Sequence, residues 1–380
     1  MTSSTSGPRA DLAARFAAFE RVAGSRAPLY ARLAPRIAED DDLLALLDDA
    51  PPQQRLPVLL FAAVHLLVIE GRDPDLAAHY PNLAADEVRR SPASASDPFP
   101  AFRRTALDHA NRIRTIAATS TTQTNEVGRC AWLMPPAAAI SAEVGGIALV
   151  DVGASAGLNL LMQHFRYEYA RADAPPVRLG MAPGMRVPAA AVEIECELRP
   201  CGDRSIEPPR QLPDMVSAVG LDAAPVDLHD EDRVRWLEAC IWPDMVGRFH
   251  RLVAAVALAR SMQPRVVTGD AVDDLPGLLA QTAASAHPVV MTSWLLNYLD
   301  HDRQREFVGV LDAAASDGDL SWIVAESPAE TPGLPIPTTS PAEDLTVVSL
   351  VRWRGGRRTI ERIGTGHPHG YWLQADCTGA

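Results

Sequence analysis

From Asp11 to about Pro136, apolar residues recur at helical spacing. Leu12, Phe16 and Phe19 fall on one face, and Leu29, Leu33 and Ile37 continue the period. Leu43, Leu44, Leu46 and Leu47 follow, and then Val58 to Ile69, which is apolar all round apart from His65 and predicts a buried central helix. Gly71-Arg-Asp-Pro74 is a helix stop, Ser91 to Pro98 reads as a loop, and Phe102, Ala106, His109 and Ile113 restart the period. No strand signal of similar strength occurs here, so residues 11–145 read as an all-helical region of roughly five to seven helices. Residues 1–10, mostly Ser, Thr, Gly and Pro, read as a flexible tail.

At residue 146 the pattern changes. Ile147 to Val152 is a β-branched, apolar run suited to a buried parallel strand. It breaks into Gly153-Ala-Ser-Ala-Gly157, after which Leu158, Leu160, Leu161 and Phe165 suit a helix. Residues 166–212 are rich in Pro and Gly and carry one clear alternating run, Val192 to Leu198, with Tyr167-Glu-Tyr169 as a further short strand. We read them as a small β insertion, with Glu193, Glu195 and Glu197 on a solvated face. Met215 to Asp222 is a second strand ending in an acid, and helices are expected over Val234–Ile241 and Val246–Ala259. A short strand then leads into Gly269-Asp270, and Pro288 to Leu299 is a fourth strand running into a loop. An amphipathic helix covers Arg303 to Ala315, and Leu320 to Glu326 is a fifth strand. Thr331 to Glu343 is a Pro/Thr loop, and Leu345–Trp353 with Thr359–Ile363 flank Arg354-Gly-Gly-Arg357, a hairpin signal. The expected fold is therefore α/β, a Rossmann-like sheet over 146–380 behind the helical region.

The stretch with most chemical content is Asp151-x-Gly153-x-x-x-Gly157. A strand, a tight glycine turn and a helix N-terminus form half of a nucleotide-binding crevice, in which free N–H groups attract polar ligand atoms. Just before it, Asn125, Glu126 and Arg129 lie within little more than one turn and share a face. They are either a helix start, with a Thr or Asn cap and a Glu126–Arg129 pair, or polar groups offered to a ligand. Gly366-His-Pro-His-Gly-Tyr-Trp372 joins His367 and His369 to turn formers. Two ligands make a poor metal site, so we read a loop with one functional histidine and no metal.

The chain has 380 residues, 47% of them hydrophobic and 22% charged, with a formal charge of −13. That charge discourages a nucleic-acid footprint, and no apolar run is long enough to span a bilayer, so the expectation is a cytoplasmic protein with a small-molecule partner. Five scattered cysteines argue against a disulfide framework and for buried, reduced thiols.

The Asp-x-Gly-x-x-x-Gly turn and the order of strands resemble class I S-adenosylmethionine-dependent methyltransferases. That resemblance implies S-adenosylmethionine as cofactor. It places Asp151, Gly153, Ser155, Gly157 and Asn159 along the methionine and ribose, Asp222 on the ribose hydroxyls and Asp270 beside adenine. Asp270 also reads as a turn or N-cap aspartate. Trp294 and Asn297 would wall the reacting methyl group, with Asn125, Glu126, Arg129, His367 and His369 facing substrate. Asp222 follows Asp151 at several times the usual interval of about twenty residues, which the insertion explains. Thr124-Asn-Glu-Val-Gly-Arg129, Gly153-Ala-Ser-Ala-Gly-Leu-Asn159, Gly220-Leu-Asp222, Trp242-Pro243, Gly269-Asp270 and His367-Pro-His-Gly370 together resemble the bacterial family known as domain of unknown function 2332, whose name supplies no reaction. A non-catalytic ligand-binding or interaction module is the alternative. An NAD(P)-dependent oxidoreductase is disfavoured by Ser155 where the pyrophosphate turn has glycine. A hydrolase is disfavoured because Ser155 lacks the Gly-x-Ser-x-Gly frame.

Overall fold

A computed structural model describes residues 8–83, 96–122, 125–180, 191–327, 331, 334 and 345–377. Its contacts divide the chain into one unit of residues 1–124 with 229–253 and another of residues 125–228 with 254–380. Helices account for the first unit: Pro8–Ala23, Pro28–Ala38, Pro57–Ile69, Phe99–Asp108, Ala110–Thr119, Glu231–Ala239 and the start of Val246–Met262, with shorter turns between. The helix expected only after residue 10 begins at Pro8, because a proline fits the first turn, where no N–H partner is needed. Of the expected Ser91–Pro98 loop, residues 91–95 lie outside the described residues.

Pro57–Ile69 is the axis of this core, with Leu59 to Val68 buried without a break. Tyr30 stacks on its Phe61 at 4.0 Å between ring centres, and Phe16 and Phe102 meet the same ring edge-on. His65 is fully buried on this helix. Its Nδ1 donates to the Ala239 carbonyl at 3.0 Å and its Nε2 accepts from Asn82 Nδ2 at 3.1 Å. Burial pushes its pKa down to about 4, so it serves the core as a neutral ring. Residues 229–253 were expected beside the strands. They belong to the helical unit because Trp242 packs on Phe19, and Asp244 accepts the Leu29 N–H at 3.2 Å.

The second unit is mixed α/β. The helix Cys130–Val144 belongs to it, so the division falls at 124/125 rather than at 145/146. Its strands are β1 (Ile147–Val152), β2 (Arg166–Arg171), β3 (Ala174–Leu179), β4 (Glu193–Arg199), β5 (Met215–Asp222) and β6 (Val266–Thr268). They continue as β7 (His287–Ser293), β8 (Leu320–Glu326), β9 (Thr346–Arg354), β10 (Arg357–Gly366) and β11 (Trp372–Ala375). All join one sheet in the order β3-β2-β4-β11-β10-β9-β8-β7-β1-β5-β6. The block β6-β5-β1-β7-β8 is parallel, and the apolar runs of β1 and β8 are covered on both faces, every residue of the two being buried. β9 and β10 form the antiparallel hairpin read from Gly355-Gly356, and β9 pairs directly with β8.

Three expectations need correction. The described strands of the 166–212 insertion, β2 to β4, extend the main sheet rather than forming a small excursion at the crevice rim, because β11 pairs with β10 on one side and with β4 on the other and so carries the sheet on into β4, β2 and β3. The acidic face is as read: Ile194, Cys196 and Leu198 are buried while Glu193, Glu195 and Glu197 are exposed. Second, Leu158–His164 is 3-10 rather than α-helical, since the chain turns into β2 after only two short turns. Third, Cys201 and Cys377 are disulfide-bonded, with Cα atoms 5.6 Å apart, whereas Cys130, Cys196 and Cys240 are unbridged. The β4–β11 pairing places the two together across a sequence separation of 176, which leaves no local signal. Among the described residues, no helix is long and apolar enough to cross a membrane.

Candidate functional site

The glycine turn closes on itself and on its neighbours. Gly153 and Ala154 donate to the Leu221 carbonyl, at 2.8 and 3.4 Å, and Gly157 donates to Ala154 at 2.8 Å. Ser155 N donates to Asp222 Oδ2 at 2.7 Å, and Ala156 N to Asn125 Oδ1 at 3.4 Å. The N–H groups expected to face a ligand are therefore spent inside the protein, because an acid at the end of β5 and an amide at residue 125 reach them first. Gly157 is left-handed (φ 71°), and a Cβ there would lie 2.7 Å from Val266 Cγ2, so the close approach to β6 requires glycine. Ser155 also holds φ at 51°, a strained conformation fixed by Asp222 on one side and by Val226 N on its carbonyl.

Asp222 Oδ1 also accepts the Ala224 N–H at 2.8 Å, so its carboxylate organises two turns and keeps further lone pairs. Asn125 lies on one flank of the following turn and Cys130 on the other. Cys130 Sγ donates to Asn159 Oδ1 at 3.3 Å, so the 125–130 segment is stitched to the glycine loop at both ends. Between them, Glu126 caps the 3-10 turn Val127–Arg129, its Oε1 taking the Gly128 N–H at 2.9 Å. The cap is thus neither the Thr nor the Asn of the sequence reading. Gln123 and Thr124 of that motif lie outside the described residues.

Glu126 Oε2 lies 3.2 Å from His369 Nδ1, with the Glu126 side chain 1% and the His369 side chain 17% exposed. The His-Pro-His-Gly segment is a turn: Gly370 N donates to the His367 carbonyl at 2.8 Å, and His369 N to His367 Nδ1 at 3.1 Å. Gly370 (φ 78°) sits flush on the 126–129 turn, so a Cβ there would fall 1.9 Å from the Gly128 carbonyl oxygen. Gly370→Ala is expected to lose about 1–3 kcal/mol of stability by strain and loop displacement. Denaturant unfolding read beside the wild type checks this; an unchanged midpoint would mean that the two segments are not in contact.

Arg129, 7% exposed, spans the centre of the site. Its Nε donates to the Pro368 carbonyl and its Nη1 to the Ser293 carbonyl, both at 3.1 Å, and its guanidinium lies 5.8 Å from the centre of the Trp294 ring. The residues after β7 therefore meet the His-Pro-His-Gly turn through one side chain. Trp294 is another strained residue (φ 56°), with Nε1 on Thr346 Oγ1 at 2.6 Å. Glu326, at the carboxyl end of β8, fixes this loop by accepting the N–H groups of Leu295 at 3.2 Å and Leu296 at 3.3 Å. Asn297 is half-buried on the same loop, its Oδ1 buried without a hydrogen bond.

Two buried carboxyls share the field of Arg129. Burial first, and then the charge of Asp222, push Asp151 up to about 8 against the pull of Arg129. Burial likewise pushes Glu326 up to about 7, opposed by the Leu295 and Leu296 N–H groups and by Arg129. Asp151 is 2% exposed, and its Oδ2 has no hydrogen-bond partner. A buried carboxyl in that condition is costly unless it is protonated or a ligand donates to it.

Asn125, Glu126, Arg129, His367, His369, Trp294 and the glycine turn are thus linked through contacts, with Asp222 beside them. Asp270 is used differently: it accepts the N–H groups of Val272 at 2.8 Å and Asp273 at 3.0 Å and pairs with Arg303, as a turn-capping aspartate does. Ser293 and Cys130 join the site without having been singled out in the sequence, since only their contacts mark them. Among the described residues, no group of three or more His, Cys, Asp or Glu could hold a metal ion.

No curated protein and no solved structure matches the chain. The model of one family, described as an uncharacterized protein conserved in bacteria (DUF2332), matches residues 11–375. The match takes in the turn at 125–129, the glycine loop and the His-Pro-His-Gly segment alike, and the chain belongs to this family.

Proposed function

We propose that the protein is an S-adenosylmethionine-dependent methyltransferase acting on a small molecule, with the cofactor at the carboxyl ends of β1 and β5. The observation that carries this reading is the balance of donors and acceptors around the glycine turn. A dinucleotide's pyrophosphate needs outward N–H groups, and here those of residues 153–157 are bonded within the protein. What the site offers instead are acceptors: the unbonded Asp151 Oδ2 and the remaining lone pairs of Asp222. A ligand bearing an ammonium, a sulfonium and a vicinal diol, and no phosphate, fits that set. The parallel order β6-β5-β1-β7-β8, with the turn after β1 and an acid ending β5, supports the same reading. The 3-10 segment Leu158–His164, where an α-helix is usual, is the chain's own departure.

When bound, the cofactor supplies a methyl group on an electrophilic sulfur. The protein's share is alignment and exclusion of water: Asp151 takes the ammonium, Asp222 the diol, and the loop of Trp294 walls the reacting carbon. Calorimetric titration with S-adenosylmethionine, S-adenosylhomocysteine and NAD tests the proposal. The expected result is saturable binding of both sulfur compounds and none of NAD, weakened at least about tenfold in Asp222→Ala. A thermal melt of that variant confirms that it is folded. No binding of either sulfur compound overturns the reading in favour of a ligand-binding or interaction module.

A further inference from the structure

A cavity of about 270 Å³ lies between the helix Cys130–Val144, strands β9 and β10, and the segments around Arg204 and Asp376. Its apolar lining comes from Pro135 and Pro136 on the helix, Leu350 on β9, Ile363 on β10 and Ala375 on β11. The two prolines bring ring carbons and no N–H groups to it. Three arginines and three carboxylates complete the lining: Arg204, Arg352, Arg362, Glu207, Glu361 and Asp376. Arg362 Nε and Asp376 Oδ1 lie 3.2 Å apart with both side chains 8% exposed, a costly pair for a wall that only packs.

The polar end is held in place by links of the main chain. Cys201 and Arg204 exchange backbone hydrogen bonds at 2.9 and 3.1 Å, and the disulfide joins Cys201 to Cys377, the neighbour of Asp376. Asp376 N donates in turn to the Ile363 carbonyl at 3.1 Å. Each carboxylate already has a cation: Asp376 Oδ2 lies 3.3 Å from Arg204 Nη1, Glu361 Oε2 2.6 Å from Arg352 Nη1 and Glu207 Oε2 3.2 Å from Arg171 Nη1. The guanidiniums are less fully engaged. Arg204 uses only Nη1, and the carboxylate it meets is shared with Arg362. Arg352 uses Nη1 on Glu361 and turns Nε to Glu143 at 3.2 Å. Among the described residues, Arg204 Nε and Nη2 and Arg352 Nη2 therefore keep donors unspent.

We propose that this cavity binds a small carboxylic acid with an apolar chain, its carboxylate on the open donors of Arg204 and its chain against Pro135, Pro136, Leu350 and Ile363. A guanidinium fork matches a carboxylate in shape and charge. The acids already in the wall count against a doubly charged phosphate, which they would repel more strongly. The volume, just below the usual range of roughly 300–1,000 Å³ for small-molecule sites, limits the chain to a short one. No lining residue belongs to the glycine turn or to the end of β5, so the proposal stands apart from the methyltransferase reading.

Calorimetric titration of the full-length protein with butyrate, hexanoate, hexylamine, hexanol and hexyl phosphate tests it. Hexanoate is expected to bind saturably, and butyrate about tenfold more weakly for want of two methylenes. The amine, the alcohol and the phosphate are each expected to bind at least about tenfold more weakly than hexanoate. Arg204→Gln is expected to weaken hexanoate at least about tenfold. Ala139 lines the cavity from an exposed position of the helix, and Ala139→Leu is expected to fill the space and abolish binding. Thermal melts confirm that each variant is folded; the two alter different elements, so a folding failure in one leaves the other to decide. No saturable hexanoate binding, equal binding of the amine, alcohol or phosphate, or an affinity that either folded variant leaves in place overturns the proposal.

Discussion

Arg129→Met is expected to destabilise the sheet-bearing unit by about 3–5 kcal/mol, the largest effect of any single substitution in the site. The reason lies in what the guanidinium leaves behind rather than in the strength of one pair. It is the buried cation that holds down the pKa values of both Asp151 and Glu326, and the donor to the carbonyls of Pro368 and Ser293. Methionine fills much of the same volume but donates nothing. Two carbonyls lose a partner, and the two carboxyls lose a favourable charge that acts on both. Denaturant unfolding of the variant beside the wild type measures the loss. A change below about 1 kcal/mol would mean that water reaches the site and screens these groups.

Asp151→Asn is expected to act in the opposite direction, and only at high pH. The folded-state pKa of Asp151 is raised from 3.8 to about 8. Between those values the folded protein holds a proton that the unfolded chain has released, so the contribution of Asp151 to stability is fully present at or below about pH 4 and is lost as pH rises towards 8. Each unit of elevation corresponds to about 1.4 kcal/mol. Asparagine removes the titration while keeping the shape, so the variant is expected to exceed the wild type by several kcal/mol at pH 8.5 and to match it near pH 4. Glu326, raised from 4.5 to about 7, leaves a smaller slope of the same sign in the variant. Calorimetric melts at the two pH values decide the matter. A variant less stable than the wild type at pH 8.5 would show that Asp151 is a stabilising anion, and the sign of the argument would be reversed.

In the parallel block, β1 and β8 were legible because each is buried on both faces and reads as a nearly unbroken apolar run, Ile147–Val152 and Leu320–Glu326. The alternating β4 and the Gly355-Gly356 hairpin were legible for an equally local reason, since side chains alternate across a strand and a tight turn favours glycine. The strand β3 was not, because Pro175 and Pro176 demote it, and β11 was not, because four residues carry too little pattern. Missing β11 hid the continuity of the sheet, and with it the Cys201–Cys377 bond.

At the site, the sequence by itself determined which residue types stand near the glycine turn: short-range spacing brings Asn125, Glu126 and Arg129 together and puts Gly153, Ser155 and Gly157 in one loop. Only the tertiary structure decided what those groups do. It turned Glu126 from a partner of Arg129 in the same helix start into the partner of His369, sent Arg129 to Ser293 and Pro368, and gave the turn's N–H groups to Asp222 and Asn125. The physical reason is that a hydrogen bond goes to whichever acceptor the packed chain brings within about 3 Å. Here those acceptors come from strand ends and loops far apart in sequence, joined by a sheet whose order no local pattern encodes.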